Sequence, residues 1–203
     1  MKNIILVDDH EIVLEGIEIL SQKANFQIIE KFTRARQALQ YLKKSKSHIF
    51  AIISDIDIPG MNGIEFLKEV KKQYPEIKRV IFSLHSELIF INQAKKIGVD
   101  GYILKSEGLL TILKALYNIS LGETYYSQEI KHLLYSNILS DEEGQIRQQI
   151  LKQLSLGKSA KEIGKELGKS QRTIEYHAAH LRKKFGVKNN IELIQQFINQ
   201  NPG

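Results

Sequence analysis

The stretch IFAIISD, residues 49–55, decides the fold of this chain. It is a continuous apolar and β-branched run that ends on a serine and an aspartate, which is typical of a strand buried on both faces of a parallel sheet. Shorter runs of the same kind stand at 4–7, 27–31, 80–83 and 102–104, and helical patterns separate them. Strands that alternate with helices predict five βα units, and therefore a five-stranded parallel sheet with helices on both faces.

After residue 121 the pattern changes to helices alone. Apolar residues recur there at helical spacing in four successive stripes, which begin at Ile146, Ala160, Ile174 and Ile191. Before them, 122–138 carries mixed polar residues without a strand pattern. We therefore predict three segments: an α/β domain at 1–121, a linker at 122–138 that is helical in part, and a small all-α domain at 139–203.

The amino-acid composition excludes several classes of protein and of functional site. The 203 residues include no cysteine, which excludes a disulfide scaffold, a thiolate metal site and a thiol nucleophile. No apolar run is long enough for a membrane span or a signal peptide, so we expect a cytoplasmic protein. The chain has 29 basic and 23 acidic residues, and 157–188 holds nine basic against three acidic ones. Such a segment is either a polyanion-binding surface or an ordinary solvated helical face.

In the first domain, charged and hydroxyl side chains follow the ends of the predicted strands. The first strand ends at Asp8 and Asp9, the third at Asp55, the fourth at Ser83 and the fifth at Lys105. Because the carboxyl ends of parallel strands share one edge, these side chains are expected to converge. Crowded carboxylates suit Mg²⁺, and a metal ion and an ammonium together would allow one carboxylate to act as a nucleophile toward phosphorus. Taken singly, each residue would be a cap or a turn residue.

The first domain resembles a response-regulator receiver domain, a doubly wound, flavodoxin-like fold. The resemblance lies in Val7-Asp8-Asp9-His10, Asp55-Ile56-Asp57-Ile58-Pro59-Gly60-Met61-Asn62-Gly63, Ser83 and Gly101-Tyr102-Ile103-Leu104-Lys105. It implies that Asp55 is the phosphoacceptor of a sensor histidine kinase. It also implies that Mg²⁺ is held by Asp8, Asp9, Asp55 and the backbone carbonyl of Asp57, and that Lys105 pairs with the phosphoryl group.

The same resemblance makes Ser83 and Tyr102 a switch pair. On phosphorylation the serine hydroxyl would move to a phosphoryl oxygen and the aromatic ring would rotate inward. Two positions depart from the commonest pattern: Leu84 stands where a small residue often follows the hydroxyl, and Ser106 stands where proline often follows the lysine. They bear on the lifetime of the phosphorylated state. The chain would not be an enzyme, beyond slow autodephosphorylation at most.

Two enzyme classes are alternatives. Asp55 and Asp57 have the two-carboxylate spacing of haloacid-dehalogenase-like phosphatases, but these usually carry the motif on the first strand and a further acidic pair downstream. Here the motif is on the third strand, and only Glu107 and Glu123 closely follow the lysine. Ser83 with His85 suggests a hydrolase nucleophile, but the Gly-x-Ser-x-Gly elbow is missing. The regulator is favoured over both.

The third helix of the second domain has a face suited to a DNA groove. Its buried stripe is Ile174, Ala178, Leu181 and Phe185, and at about 100° per residue the opposite face is Arg172, Tyr176, Ala179 and Lys183, flanked by Glu175 and His180. The domain is similar to the LuxR/NarL-type helix-turn-helix through residues 157–163, 170–177 and 181–187. This similarity implies promoter DNA as the partner and base contacts at Glu175, Tyr176 and Ala179.

The whole predicted DNA-binding set is Lys169, Ser170, Arg172, Thr173, Glu175, Tyr176, Ala179, His180 and Lys183. Glu175 departs from the family, which often presents lysine or a small polar residue there; a carboxylate repels phosphates but accepts from the cytosine amino group. Paired half-sites imply a homodimer on DNA or after phosphorylation. The two resemblances together predict a two-component response regulator in which phosphorylation of Asp55 controls DNA binding and transcription.

Overall fold

The structure is a computed structural model that describes residues 1–21, 25–138 and 144–200. The chain divides into two compact units, Met1–Lys131 and His132–Gly203, each with its own apolar core. Across the described residues, no helix has both the length and the apolar character that crossing a membrane requires.

The first unit is a parallel sheet whose strands alternate with helices. In chain order the elements are β1 (Lys2–Val7), α1 (Glu11–Ser21), β2 (Phe26–Phe32), α2 (Ala35–Lys44), β3 (Ala51–Ser54), α3 (Gly63–Gln73), β4 (Lys78–Ser83), α4 (Leu88–Ile97), β5 (Gly101–Leu104), α5 (Leu110–Ser120) and β6 (Tyr125–Tyr126). The next helix, α6 (Gln128–Ile138), begins in this unit and ends in the second. The strand order is β2-β1-β3-β4-β5-β6, and all neighbouring strands are parallel. This is the order of a doubly wound sheet, so the predicted α/β fold is confirmed.

The core explains why the middle strands are almost wholly apolar. Every residue of β3 and of β5 is buried, because a central strand has neighbours on both edges and helices on both faces. One face of the sheet packs against α1 and α5. This core includes Ile4, Leu6, Leu14, Ile17, Ile53, Phe82, Ile103, Ile112, Leu116 and Ile119. Alternate residues of β1 share this face, as the period of two in a strand requires.

The sheet has a sixth strand that the sequence analysis did not predict. Tyr125 and Tyr126 pair with Gly101 and Tyr102 of β5. The next residue, Ser127, donates its backbone N–H to the Tyr102 carbonyl at 2.9 Å, and its Oγ accepts from the Leu104 N–H at 2.9 Å. A strand of two residues is too short to show a period of two, which is why no pattern indicated it. The predicted linker 122–138 thus contains β6 and α6.

The second unit contains the four predicted helices: α7 (Gly144–Ser155), α8 (Ala160–Glu166), α9 (Gln171–Phe185) and α10 (Asn190–Gln200). Their apolar stripes form two clusters, one around Ile150, Ile163 and Ile174 and one around Leu151, Leu181 and Leu193. The predicted start of this domain at Leu139 and the predicted cap Ser140 with Glu143 lie outside the described residues.

The turn between α8 and α9 depends on two glycines. Gly168 has φ +63°, a left-handed conformation that glycine adopts without strain. At Gly164 a Cβ atom would lie 2.7 Å from the carbonyl oxygen of Lys169, so the two helices approach more closely than a larger residue allows. Ser170 then caps α9, because its Oγ accepts from the N–H of Thr173 at 3.1 Å. The turn therefore fixes the angle at which α9 begins.

Candidate functional site

Three charged side chains meet at the carboxyl edge of the sheet, as the strand ends predicted. Asp8 follows β1, Asp55 follows β3 and Lys105 follows β5. The Nζ atom of Lys105 lies 2.6 Å from Oδ2 of Asp55 and 2.7 Å from Oδ2 of Asp8. Both carboxylates are buried. One ammonium thus joins two carboxylates that the topology alone brings together.

The environment of Lys105 keeps it protonated. Its burial acts to lower the pKa, but hydrogen bonds and charge interactions with Asp55 and Asp8 outweigh burial and raise the pKa above its ordinary value. The site therefore presents a fixed positive charge beside the Asp55 carboxylate. Such a charge stabilises negative charge that develops on a phosphoryl group attacked by that carboxylate.

A candidate metal centre lies beside this ammonium. Asp8, Asp9, His10 and Asp55 each place one possible ligand atom within 4.8 Å of the others. Nδ1 of His10 lies 2.9 Å from Oδ1 of Asp9 and 3.1 Å from Oδ1 of Asp8. Three carboxylates are the hard oxygen donors that Mg²⁺ prefers, so the residues present fit that ion. His10 was not predicted as part of the site, although it directly follows the acidic pair.

The loop after β3 holds the Asp55 carboxylate in one orientation. The N–H of Ile56 donates to Oδ1 of Asp55 at 2.6 Å, so Oδ2 faces Lys105. The backbone of Gly63, at the start of α3, passes so close that a Cβ atom there would lie 1.8 Å from the carbonyl oxygen of Asp55. The side chain of Asn62 caps α3 by accepting from the N–H of Ile64 at 2.8 Å. These contacts explain why the turn contains glycine and asparagine.

The predicted switch residues Ser83 and Tyr102 both form hydrogen bonds to the backbone of His85, in the loop after β4. Ser83 and Tyr102 are both buried, Tyr102 completely. The Tyr102 hydroxyl donates to the backbone carbonyl of His85 at 2.9 Å, and the Ser83 Oγ accepts from the His85 N–H at 3.4 Å. Burial, followed by the charges of Glu87, Asp55 and Asp57, raises the pKa of Tyr102, which keeps its proton. In this structure the tyrosine ring is fully buried.

His85 connects this loop to the loop after β3, a contact that the sequence did not indicate. Its Nε2 lies 2.7 Å from Oδ2 of Asp57, and its Nδ1 lies 3.1 Å from Oε2 of Glu87. Burial acts to lower the pKa of His85, but the hydrogen bonds and charges of these two acids outweigh burial and raise it. The ring nitrogens therefore contact carboxylates and not the Ser83 hydroxyl, and the serine–histidine hydrolase pair considered from sequence is not formed. Leu84, which lies between Ser83 and His85 in the chain, is 74% exposed.

Helix α9 of the second unit presents one polar, basic face. Arg172, Tyr176, Ala179 and Lys183 are exposed, while Ile174, His177, Ala178 and Leu181 are buried. Lys169, Ser170 and Glu175 are also exposed, and Thr173 and His180 are partly buried. The rings of Tyr176 and His180 stack at 6.4 Å. The exposed face agrees with the predicted one, and so does the buried stripe except at Phe185, which is partly buried and packs against the cluster that contains Leu181. His177 joins the buried stripe.

Gln171 was not included in the predicted set, yet it belongs to the same exposed face. Its Nε2 donates to Oε1 of Glu175 at 2.7 Å. Position 171 precedes 175 by four residues, the spacing at which helical side chains meet, so the signal was present in the sequence.

Family models match both parts of the chain. The response regulator receiver domain model matches residues 4–117, and the model of bacterial regulatory proteins of the luxR family matches residues 138–197. The Fimbriae Z protein of Escherichia coli K12 is 31% identical over 199 residues, with 95% of this chain and 94% of that protein covered. The transcriptional regulatory protein UhpA of the same strain is 29% identical, with 97% of each chain covered.

A solved structure described as two RcsB dimers bound to two parallel DNAs has the same fold. Its TM-score is 0.63 at 22% identity, and 98% of each chain is covered. The Asp55-Ile56-Asp57 motif follows the third strand, whereas the phosphatases considered for this spacing usually carry it on the first. The two family models and the full-length relatives show that this chain belongs to the response regulators, with a receiver domain followed by a LuxR-family domain.

Proposed function

We propose that Asp55 is the residue that accepts a phosphoryl group from a sensor histidine kinase, and that its phosphorylation controls binding of the second unit to promoter DNA. The observation that carries this proposal is the contact of Lys105 Nζ with Asp55 Oδ2 at 2.6 Å, inside a cluster of carboxylates. Oδ2 is the oxygen that faces the ammonium, while Oδ1 accepts from the Ile56 N–H.

In the phosphoryl transfer an Asp55 oxygen attacks phosphorus on the kinase phosphohistidine. An O–P bond forms, the N–P bond breaks, and the histidine nitrogen keeps the bonding electron pair. Lys105 stabilises the charge on the phosphoryl oxygens. Mg²⁺, when held by Asp8, Asp9, Asp55 and the backbone carbonyl of Asp57, supplies further positive charge to those oxygens. Later attack of water on the acyl phosphate returns Asp55 slowly, which is the only turnover we assign to the chain.

The switch runs through the loop between β4 and α4. The Ser83 hydroxyl, buried at the end of β4, moves from the His85 N–H to a phosphoryl oxygen. Because Tyr102 donates to the carbonyl of the same His85, a shift of this loop reaches the tyrosine as well. The loop and α4 then form the face whose shape depends on the phosphorylation state.

The second unit reads DNA as a dimer. Helix α9 lies in the major groove of each half-site, and its basic residues Lys169, Arg172 and Lys183 contact phosphates or guanine edges. Ser170, Thr173, Glu175, Tyr176, Ala179 and His180 complete the proposed contact set. We assign residues 1–121 to the receiver domain, 122–138 to the linker and 139–203 to the DNA-binding domain. Promoter DNA as partner supports a cytoplasmic location.

A gel shift with chemical phosphorylation tests this function. The full-length chain is incubated with acetyl phosphate and Mg²⁺ and added to a pool of promoter fragments. We expect a gain of one phosphoryl group by intact mass and tighter DNA binding, both absent in Asp55→Asn. Glu65→Gln, which neutralises an exposed carboxylate on α3, is the matched control and should behave like the wild type. DNA binding that rises equally in Asp55→Asn would contradict the proposal.

A salt titration tests the DNA face separately. Each phosphate contact that is lost should flatten the dependence of log affinity on log salt concentration by about one unit of slope. We expect this for Arg172→Ala and for Lys183→Ala. Lys68→Ala, an exposed lysine on α3, is the control. Unchanged slopes in both α9 variants would place the DNA on another surface.

A further inference from the structure

Gln171 and Glu175 form a preorganised pair at the start of the exposed face of α9. The amide Nε2 of Gln171 donates to Oε1 of Glu175 at 2.7 Å. Both side chains are exposed, and both belong to the first turns of the helix. The backbone beneath them is fixed, because Ser170 caps the helix and its Oγ also lies 2.8 Å from Oγ1 of Thr173. The pair is therefore held at a defined place on the helix.

The pair combines an acceptor and a donor. A carboxylate only accepts hydrogen bonds and has about four lone-pair positions, of which the Gln171 contact uses one. The Gln171 amide carries a second N–H, which is available to a further acceptor. Glu175 cannot serve as a phosphate contact, because like charges repel. A base edge with an exposed amino group is the part of DNA that a carboxylate binds.

The order of groups in the major groove distinguishes the two bases that carry an amino group there. The adenine N6 amino group lies between two acceptors, N7 of adenine and O4 of thymine. The cytosine N4 amino group has an acceptor, guanine O6, on one side only. A carboxylate on adenine therefore faces acceptors on both sides, whereas on cytosine it faces one. A neighbouring amide N–H can bind that one acceptor.

We propose that Gln171 and Glu175 together read one cytosine–guanine pair in each half-site. Glu175 accepts from cytosine N4–H, and Gln171 donates its second N–H to guanine O6. Arg172, exposed beside the pair, and Lys169, exposed before the helix, offset the repulsion between the carboxylate and the DNA backbone. This inference rests on the proposed function, since it requires α9 to lie in the major groove.

The test is selection of DNA duplexes from a randomised pool by the full-length chain after treatment with acetyl phosphate and Mg²⁺. The selected duplex is then measured beside versions in which each base pair is changed in turn. We expect one C·G position whose change weakens wild-type binding roughly 5- to 150-fold. Glu175→Ala should bind all versions of that position alike. Glu175→Gln should favour A·T there, because glutamine pairs with adenine N6 and N7.

The ratio of affinities between duplexes is the readout, because it separates base reading from charge. Glu175→Ala and Glu175→Gln remove the same negative charge, so the loss of repulsion from the DNA phosphates is equal in both variants and for every duplex, and it cancels in the ratios. The loss of the base contact changes the ratios, and it changes them differently in the two variants. The control is Glu69→Gln on α3, where Gln73 Nε2 approaches Glu69 Oε2 at 3.5 Å in the same helical spacing. Its ratios should equal those of the wild type.

Each outcome is decisive. Loss of the C·G preference in Glu175→Ala, with the preferences at other positions kept, supports the inference and shows that the variant is folded. An unchanged preference in both Glu175 variants overturns the inference and leaves the proposed function standing. A wild-type chain that selects no sequence overturns the proposed function, and the inference with it.

Discussion

Lys105 Nζ lies 2.6 Å from Asp55 Oδ2, although fifty positions separate the two residues in the chain. The same nitrogen lies 2.7 Å from Oδ2 of Asp8. Three strands of the parallel sheet therefore each deliver one charged group to a single point. Both carboxylates are buried, so the ammonium offsets a repulsion that water cannot screen.

Lys105→Ala should make the stability of the first unit depend on Mg²⁺. Removing the ammonium leaves two buried carboxylates without their partner, so the free energy of unfolding should fall by about 3–5 kcal/mol in the presence of a chelator. Mg²⁺ supplies the missing positive charge, and should restore more stability to the variant than it adds to the wild type. Chemical denaturation with and without Mg²⁺ measures both effects. Lys68→Ala should show neither, and an equal response to Mg²⁺ in all three chains would contradict the assigned metal position.

Gly63→Ala should displace the backbone at Asp55. The added methyl group would overlap the Asp55 carbonyl oxygen, and overpacking of this kind costs about 1–3 kcal/mol or more. Thermal unfolding should show the loss, and phosphorylation by acetyl phosphate should slow. Gly60→Ala separates the clash from backbone strain, because Gly60 has φ +85° and nothing within 4 Å of an added Cβ. It should cost only about 1 kcal/mol and leave phosphorylation unchanged. Equal rates in both variants would show that the close approach does not position Asp55.

Tyr102→Phe should separate phosphorylation from the response to it. The change removes the hydrogen bond to the His85 carbonyl and costs about 1 kcal/mol, but it leaves the carboxylates and Lys105 in place. Asp55 should therefore still be modified, while the increase in DNA affinity becomes smaller. Intact mass and fluorescence anisotropy on the same samples measure the two quantities. Tyr117→Phe, at an exposed tyrosine of α5, is the control. A full increase in affinity in Tyr102→Phe would remove the tyrosine from the switch.

Tyr126 in β6 should contribute to alkaline unfolding. Burial, with a smaller effect of the Asp100 charge, raises the pKa of Tyr126 to about 12 from 10.0. A raised folded pKa means that stability is complete below the unfolded pKa and is lost as pH rises through the folded one. Stability should fall between about pH 10 and pH 12, by up to about 2–3 kcal/mol for this residue. Denaturant titrations at a series of pH values measure the free energy of unfolding. In Tyr126→Phe this free energy should fall less between about pH 10 and pH 12, because the contribution of Tyr126 is missing. The same fall in variant and wild type would place the tyrosine in water.

Topology explains which parts of the site the sequence predicted. Once residues 49–55 indicate a buried parallel strand, Asp8, Asp55 and Lys105 must share one edge of the sheet, and the structure confirms that they do. The helical stripes of the second unit likewise predicted which face of α9 is buried. Both inferences depend on periodicity, which extends over many residues and is therefore visible without coordinates.

Contacts made by single loop residues could not be predicted in this way. The bond from the Ile56 N–H to Asp55 and the link from His85 to Asp57 depend on loop paths that no period describes. The strand β6 has two residues and so shows no alternation. Gln171 was missed because its partner Glu175 was considered for its charge and not for its neighbours. Tertiary geometry decided the contacts of Ile56, His85 and β6, whereas the Gln171–Glu175 contact is local to one helix and follows from its spacing.

The central claim is that Asp55 carries the phosphoryl group. Borohydride reduction of the chain treated with acetyl phosphate and Mg²⁺ converts an aspartyl phosphate to homoserine, and peptide mass spectrometry then locates the changed residue. We predict homoserine at position 55, and none in a sample prepared without Mg²⁺. Homoserine at another aspartate, or a phosphoryl group on a histidine in place of Asp55, would contradict the account.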